Sequence, residues 1–196
     1  EPAAVGSCAH LEAKDSVWGT HRAHHFAIAK GVNLERMTAE IFGKVTGLGR
    51  GKGGHMHLFD PSVNFSCTGI VGGGIPHAVG AGLAYKKLGS GAVAVAEFGE
   101  GASNQGSFHE SLNMANSTAV ESIADRATSY GMPGVRVTEN DPDLVFEAVG
   151  EAVARARRGE GPTLLEVKVD RLYGHFQGDP ETYRPKGEVE SLRKKD

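Results

Sequence analysis

Residues 92–98, with the sequence AVAVAEF, form a nearly continuous apolar run that leads directly into Gly99-Glu100-Gly101. A short apolar run bounded by turn residues is typical of a parallel β-strand covered on both faces. A helix is expected to begin near Asn104. Further helices are predicted over residues 34–44, 77–87 and 144–158, and further strands over residues 16–20 and 163–169. Strands that alternate with helices predict an α/β fold with a mainly parallel sheet flanked by helices.

Composition narrows the class of protein. The chain has 196 residues and a formal net charge of -3, which suits one domain without a charge-driven role on nucleic acid or a membrane surface. No apolar run approaches the roughly 18 residues of a membrane span, and no signal peptide is recognised. Two cysteines make neither a disulfide framework nor a zinc site, so we expect a cytoplasmic protein. The 28 glycines occur in clusters, which indicates local backbone chemistry.

One connection in the predicted fold is too short. The helix that begins near Asn104 should end near Ala115 and lead to the next strand, but residues 116–118 lead into another helical stretch over residues 120–130. A βα unit with its return strand needs roughly 30 residues. We therefore expect a single domain over residues 1–196, with segments missing at the N-terminus, internally near residues 115–117, and at the C-terminus.

The turn Gly99-Glu100-Gly101 is a candidate ligand site. It follows a predicted buried strand, and open α/β sheets bind ligands at the carboxyl ends of their strands. The helix that follows offers backbone N–H groups to phosphate oxygens. A single carboxylate at Glu100 suits Mg²⁺, which shares its other ligands with water and a bound diphosphate. The alternative is a tight turn with an exposed glutamate.

Three further motifs carry weaker signals. The sequence GIVGGGIP at residues 69–76 lets a backbone approach a flat ligand, or packs the next helix closely. In HRAHH at residues 21–25, Arg22 is suited to clamp a phosphate, although such clusters also lie on solvated surfaces. The segment YGHFQGD at residues 173–179 follows a predicted strand and is a candidate active-site loop, or a structural one.

Glu97 stands inside the predicted core strand, where apolar residues are usual. An unpaired buried carboxylate costs several kcal/mol or shifts its pKa strongly upward. A hydrogen-bond partner for Glu97 is therefore expected, although the sequence does not identify it.

The motifs in this order resemble the α subunit of the thiamine-diphosphate-dependent E1 component of 2-oxo acid dehydrogenase complexes. The resemblance rests on HRAH (residues 21–24), GKGGHMHLF (51–59), GIVGGGIP (69–76), GEGASNQG (99–106) and YGHFQGD (173–179). Within that family, SIADRA (122–127) and YGHFQGD look most like the acetoin dehydrogenase branch. The pyruvate and branched-chain 2-oxo acid dehydrogenases are the alternatives.

The resemblance implies a set of site residues. Arg22 matches the arginine that holds the cofactor diphosphate, and His21 stands beside it where many members have tyrosine. Glu100 takes the place of the aspartate that ligates Mg²⁺. The other matches are Gly69 and Val71 to backbone groups that receive the aminopyrimidine ring, Gly101 and Ala102 to residues packed on the diphosphate, and His175 to a catalytic loop histidine near the diphosphate.

The resemblance also implies the reaction and the partners. Thiamine diphosphate with Mg²⁺ serves cleavage of a C–C bond next to a carbonyl of a small-molecule substrate, and the acyl-level fragment passes to a lipoyl group. An E1 β subunit completes an α2β2 heterotetramer and supplies the glutamate that activates the cofactor, and a lipoyl-bearing E2 is the acceptor. The chain alone is expected to be inactive.

Two other functions are weighed against this reading. If the internal segment is missing, the second Mg²⁺ side-chain ligand of the family is lost with it, and the alternative is a non-catalytic structural subunit. A nicotinamide-nucleotide enzyme is disfavoured because the glycine motifs lack the Gly-x-Gly-x-x-Gly spacing.

Overall fold

The computed structural model describes residues 2–112, 122–139, 141–174, 178–182, 184–185 and 187–193. Strands alternate with helices along the chain, as predicted. The α-helices are α1 Pro2–Cys8, α2 His24–Lys30, α3 Leu34–Ile41, α4 Gly74–Leu88, α5 Gly106–Ser111, α6 Pro142–Arg157 and α7 Glu188–Arg193. The strands are β1 Ser16–Gly19, β2 Phe59–Asp60, β3 Phe65–Cys67, β4 Ala94–Ala96, β5 Gly134–Val137 and β6 Leu164–Val167. Two 3-10 helices, Glu100–Asn104 and Ile123–Tyr130, complete the described elements.

The strands form two sheets that are mainly parallel. The larger sheet has the order β2-β3-β1-β4, in which β1 pairs in parallel with both β3 and β4 and β2 pairs antiparallel with β3. The smaller sheet pairs β5 with β6 in parallel. The prediction of an α/β fold with a mainly parallel sheet flanked by helices is confirmed.

Strand β4 differs from the prediction. Only Ala94–Ala96 of residues 92–98 is a strand, and all three of its residues are half-buried, so the expectation of a strand covered on both faces is wrong. In the part of the chain that the structure describes, β4 lies at the edge of its sheet. Because no described strand pairs with its outer edge, the apolar run is only partly shielded from solvent.

The region after β4 is also more irregular than predicted. The helix expected near Asn104 is preceded by the 3-10 helix Glu100–Asn104 and becomes α5 at Gly106. The helical stretch expected over residues 120–130 is the 3-10 helix Ile123–Tyr130. The expected internal gap near residues 115–117 and the chain end at residues 194–196 lie outside the described residues.

The core consists of three apolar clusters. Val17 of β1 packs with Leu58 and Phe65, and all three are buried. Valines of α6 pack against β5, and Phe108 of α5 packs beside β6. The thiols of Cys8 and Cys67 are free. No helix within the described ranges is long and apolar enough to cross a membrane.

A buried carboxylate organises the glycine-rich loop that follows α3. The Glu40 side chain is fully buried, and each of its oxygens accepts two backbone N–H groups. Oε2 accepts from Gly49 at 2.7 Å and Gly51 at 2.8 Å, while Oε1 accepts from Gly53 at 2.7 Å and Gly54 at 3.2 Å. Burial alone raises the pKa of the Glu40 carboxyl, but the four donors outweigh it and hold the pKa below its usual value. Glu40 therefore accepts hydrogen bonds from loop N–H groups that have no partner in a helix or sheet.

We expect Glu40→Gln to lower the free energy of unfolding by about 2–4 kcal/mol at neutral pH, because an amide NH₂ then faces two buried N–H donors. The folded-state pKa of Glu40 is depressed, so its contribution is present above the unfolded pKa near 4.5 and is lost as the pH falls through the folded pKa. The difference between wild type and variant should accordingly shrink below about pH 4.5. Urea unfolding across this pH range measures it.

The matched control is Glu35→Gln, since Glu35 is an exposed glutamate on the same helix. Its effect should stay within about 0.5 kcal/mol. An equal loss in both variants, or a Glu40→Gln penalty that does not depend on pH, contradicts the assigned role.

Candidate active site

A cavity of about 800 Å³ lies at the carboxyl ends of β1 and β4. Four stretches of the chain line it. Each follows the end of a strand, and the last is joined by residues from the C-terminal segment. They are residues 19–22 with His25, residues 68–74 in part, residues 97–102, and residues 169–171 with parts of 184–192. Its volume lies in the range of small-molecule and cofactor sites.

The first wall of the cavity is formed by residues 19–22, where the chain turns sharply after β1. A Cβ added at Gly19 would lie 2.3 Å from the Cβ of Ala23, so a glycine is needed there for the chain to fold back into α2. The backbone N–H of Thr20 then donates to Oε2 of Glu97 at 2.9 Å, across the parallel pair formed by β1 and β4. This contact holds the segment that carries His21 and Arg22 at the cavity.

The expected hydrogen-bond partner of Glu97 is thus the Thr20 backbone, but the expected position inside a core strand is wrong, because β4 ends at Ala96 and Glu97 follows it. The side chain is half-buried and lines the cavity. It brings a carboxylate into the site, and neither its partner nor its place in the site could be read from the sequence, since Thr20 is 77 residues away.

The second wall is the 3-10 helix Glu100–Asn104. Its first turn is closed by the hydroxyl of Ser103, which donates to the Glu100 carbonyl at 2.6 Å. A Cβ added at Gly99 or Gly101 would meet nothing within 4 Å, and neither glycine has a positive φ. Since neither backbone strain nor protein packing requires these glycines, the space beside them is open to a ligand.

The third wall comes from the segment after β6 and the chain before α7. Nη2 of Arg184 donates to the carbonyl of Arg171 at 2.7 Å and to that of Tyr173 at 3.2 Å. The Nε of Arg184 lies 3.5 Å from Oε2 of Glu181. Arg184 thereby fastens residues 171–173 against the cavity, which is a role that the sequence did not reveal.

The charges in the cavity are mixed. Three guanidinium groups line it, from Arg22, Arg171 and Arg184, together with the carboxylates of Glu97, Glu100, Asp170 and Glu188. Guanidinium groups suit phosphate oxygens, and carboxylates suit a hard divalent cation. Among the described residues, no group of three or more His, Cys, Asp or Glu side chains is arranged to hold a metal. Mg²⁺ commonly takes one or two carboxylates and fills its shell with phosphate and water, so Glu100 and a diphosphate fit it together.

Two histidine motifs meet beside the cavity. The rings of His24 and His55 stack with their centroids 6.2 Å apart, which joins HRAHH to the end of the glycine-rich loop that Glu40 holds. Burial lowers the pKa of His24, and the neighbouring His55 lowers it further. Burial and the neighbouring His55 therefore both favour the neutral form of His24.

The structure brings most of the predicted cofactor-binding and metal residues together. Six of them line the cavity: His21, Arg22, Val71, Glu100, Gly101 and Ala102. Gly69 does not line it, although its neighbours Thr68 and Ile70 do, and a Cβ added at Gly69 would lie 3.3 Å from Nε2 of His57. His175, the predicted catalytic residue, lies outside the described residues. The ligand contacts of all eight residues stay predictions.

A family model and the relatives of this chain point to the same protein family. The family model described as "Dehydrogenase E1 component" matches residues 1–119 and 115–196. The chain is 47% identical over 221 aligned residues to the α subunit of acetoin:2,6-dichlorophenolindophenol oxidoreductase of Bacillus subtilis, covering all of this chain and 66% of that protein. The subunit of the same name from Cupriavidus necator is 45% identical, with 98% of this chain and 65% of that protein covered.

A relative with a different printed activity lies further away. The α-3 subunit of the chloroplastic pyruvate dehydrogenase E1 component of Arabidopsis thaliana is 40% identical, covering 96% of this chain and 51% of that protein. The chain thus spans just under two thirds of the length of the two bacterial acetoin relatives and about half of the plant one.

The charges of the cavity predict opposite effects of two substitutions on anion binding. Arg22→Ala should weaken the binding of inorganic pyrophosphate at least tenfold, because it removes a planar donor of two hydrogen bonds. Glu97→Gln should strengthen it by about fivefold, because it removes a negative charge and keeps an oxygen for Thr20 N–H. Isothermal titration calorimetry of the purified protein measures both.

Arg36→Ala provides the control, since Arg36 is exposed on α3 and away from the cavity lining. Its pyrophosphate affinity should equal that of wild type. Unchanged pyrophosphate binding in Arg22→Ala would show that Arg22 does not bind the anion. Weaker binding in Glu97→Gln would show that the negative charge of Glu97 does not oppose anion binding.

Proposed function

This chain belongs to the dehydrogenase E1 component family, and we propose that it is the α subunit of a thiamine-diphosphate-dependent E1 enzyme of the acetoin dehydrogenase type. The observation that carries the proposal is the cavity at the carboxyl ends of β1 and β4. It contains Arg22, Glu100, Gly101 and Ala102, which the family resemblance assigns to the diphosphate and its metal. The two acetoin relatives favour that branch over pyruvate and branched-chain 2-oxo acids, which are the alternative substrates.

Residues of this chain would hold the diphosphate half of the cofactor. Arg22 binds phosphate oxygens through its planar guanidinium, and Glu100 offers a carboxylate oxygen to Mg²⁺. The open space beside Gly99 and Gly101 lets the diphosphate approach the backbone. Val71 and Gly69 lie on the segment assigned to the aminopyrimidine ring, and His175 is assigned to proton transfer near the diphosphate. When bound, thiamine diphosphate supplies the electron sink for cleaving the bond next to a carbonyl.

The assembly follows from the same family. The relatives are α subunits by name, which supports a β partner and an α2β2 heterotetramer. The β subunit would supply the glutamate that activates the cofactor, and a lipoyl-bearing E2 would accept the acyl-level fragment. The free thiols of Cys8 and Cys67 support a reducing compartment such as the cytoplasm.

The acetoin proposal predicts that activity requires both subunits. We expect this chain, combined with its β subunit, thiamine diphosphate and Mg²⁺, to reduce dichlorophenolindophenol when acetoin is added. The isolated chain should give no reduction, because its share of the site lacks the glutamate expected from β. Turnover by the isolated chain contradicts the division of the site. A complex that binds thiamine diphosphate but turns over neither acetoin nor a 2-oxo acid favours the structural-subunit alternative.

We also propose that this chain lacks an internal segment that its relatives contain. The family model matches in two pieces that meet at residues 115–119. The alignment with the Bacillus subtilis relative spans 221 positions while covering all 196 residues here, which leaves 25 positions without a counterpart. Both observations support the expectation that a strand and a Mg²⁺ ligand are missing after α5.

Peptide mapping tests this directly. Trypsin cleaves after Lys87 and after Arg126, and no lysine or arginine lies between them. If the segment is missing, a single peptide covering residues 88–126 should appear, and its fragment spectrum should read Met114-Ala115-Asn116-Ser117 without interruption. Additional residues inserted there would show that the site is completed by a segment absent from this sequence.

A further inference from the structure

Arg126 donates two hydrogen bonds to the 3-10 helix Glu100–Asn104. Nη1 of Arg126 donates to the backbone carbonyl of Ser103 at 2.6 Å, and Nη2 donates to Oδ1 of Asn104 at 3.1 Å. Arg126 is half-buried, and Ser103 is 1% exposed. A planar guanidinium is suited to such a pair of contacts because its donors are fixed relative to one another.

The contact reaches the candidate metal ligand through Ser103. The hydroxyl of Ser103 donates to the carbonyl of Glu100 at 2.6 Å, so the residue held by Arg126 in turn closes the turn that begins at Glu100. Charged donors make stronger hydrogen bonds than neutral ones, and burial strengthens them further. Arg126 thereby restricts the conformation of the Glu100–Asn104 turn without lining the cavity itself.

The helix that carries Arg126 is bound to the smaller sheet. This 3-10 helix, Ile123–Tyr130, is contacted at its start by the Glu166 carboxylate of β6. Oε2 of Glu166 accepts from the Ala124 N–H at 3.0 Å and from the hydroxyl of Ser122. Burial raises the pKa of Glu166, but these donors and Arg136 outweigh it and keep the pKa below its usual value. Glu166 is therefore ionised near neutral pH and ties this helix to the smaller sheet.

We infer that Arg126 is a positioning residue for the diphosphate–metal site. It joins the smaller sheet, through Glu166, to the turn that presents Glu100, Gly101 and Ala102 to the cavity. The inference rests on the proposed function, because it requires that a diphosphate with Mg²⁺ binds at that turn. Partners that orient the residues around a bound metal typically matter 10–100-fold for affinity.

The test measures binding of inorganic pyrophosphate in the presence of Mg²⁺ to the protein assembled with its β subunit. We expect Arg126→Gln to weaken binding about tenfold. Arg126→Lys should be intermediate, because an ammonium cannot donate to both oxygens in the same planar geometry. Asn104→Ala should weaken binding about threefold, as loss of one of the two contacts.

A double-mutant cycle separates positioning from general stability. The double variant, Arg126→Gln with Asn104→Ala, should bind pyrophosphate as weakly as Arg126→Gln alone, because Arg126→Gln already removes the contact to Asn104. The matched control is Arg155→Gln, because Arg155 also pairs with a backbone carbonyl and a carboxylate, at Glu160, but lies on α6 away from the cavity lining. Its thermal midpoint should fall as that of Arg126→Gln does, while its pyrophosphate affinity should stay at the wild-type value.

The outcomes separate this inference from the proposed function. Wild-type protein that binds no pyrophosphate overturns both. Wild-type binding with an unchanged affinity in Arg126→Gln, or with additive losses in the double variant, overturns only the role of Arg126. If Arg126→Gln does not fold, Arg126→Lys and Asn104→Ala decide the question, and unchanged affinity in both overturns the inference.

Discussion

The parallel pairing of β1 with β3 and β4 is the constraint on which the site depends. Val17 lies beside Phe65 on one side and Val95 on the other, so all three strands point the same way. Because the carboxyl ends of parallel strands meet at one edge of the sheet, the segments after each strand converge there. The residues that follow β1, β3 and β4 all line the cavity.

Two buried carboxylates, Asp15 and Glu40, and two half-buried ones, Glu97 and Glu166, bind backbone N–H groups of loops and turns. Asp15 accepts backbone N–H groups from Glu12 and Val93, Glu40 accepts four from the glycine-rich loop, and Glu97 accepts one from Thr20. Glu166 does the same for the helix that carries Arg126. In each case side-chain oxygens accept from backbone N–H groups that have no partner in a sheet or helix, and these contacts hold the loops and turns in one conformation.

Different parts of the fold hold the different walls of the cavity. Arg22 and the Glu100 turn lie on segments fixed by the larger sheet. Arg126, on the 3-10 helix Ile123–Tyr130, also binds the turn, and Arg184 of the C-terminal segment binds the third wall. The cavity is therefore lined by segments that follow strands of both sheets.

The fold class, and the segments that carry six of the cavity-lining residues, could be predicted because their signals lie in short windows of sequence. The apolar run before Gly99, the helical pattern of residues 144–158 and each glycine motif depend on residues that are neighbours in the chain, whereas the start of α6 at Pro142, with Asp141 as its cap, was not predicted. The same local pattern led to the wrong expectation for β4, since burial depends on which strand lies beside an edge and periodicity does not report that. Strands β2 and β3 have only two and three residues, too few for any pattern.

By itself, the sequence determined the elements and the motifs, because backbone preferences and glycine turns act over a few residues. Only the tertiary structure decided what those motifs contact. Glu97 meets Thr20 across 77 positions, Arg126 meets Ser103 across 23, and Glu166 meets Ala124 across 42. Such pairs form because strand register and helix packing bring distant segments within hydrogen-bond distance, and a one-dimensional pattern contains no measure of that distance.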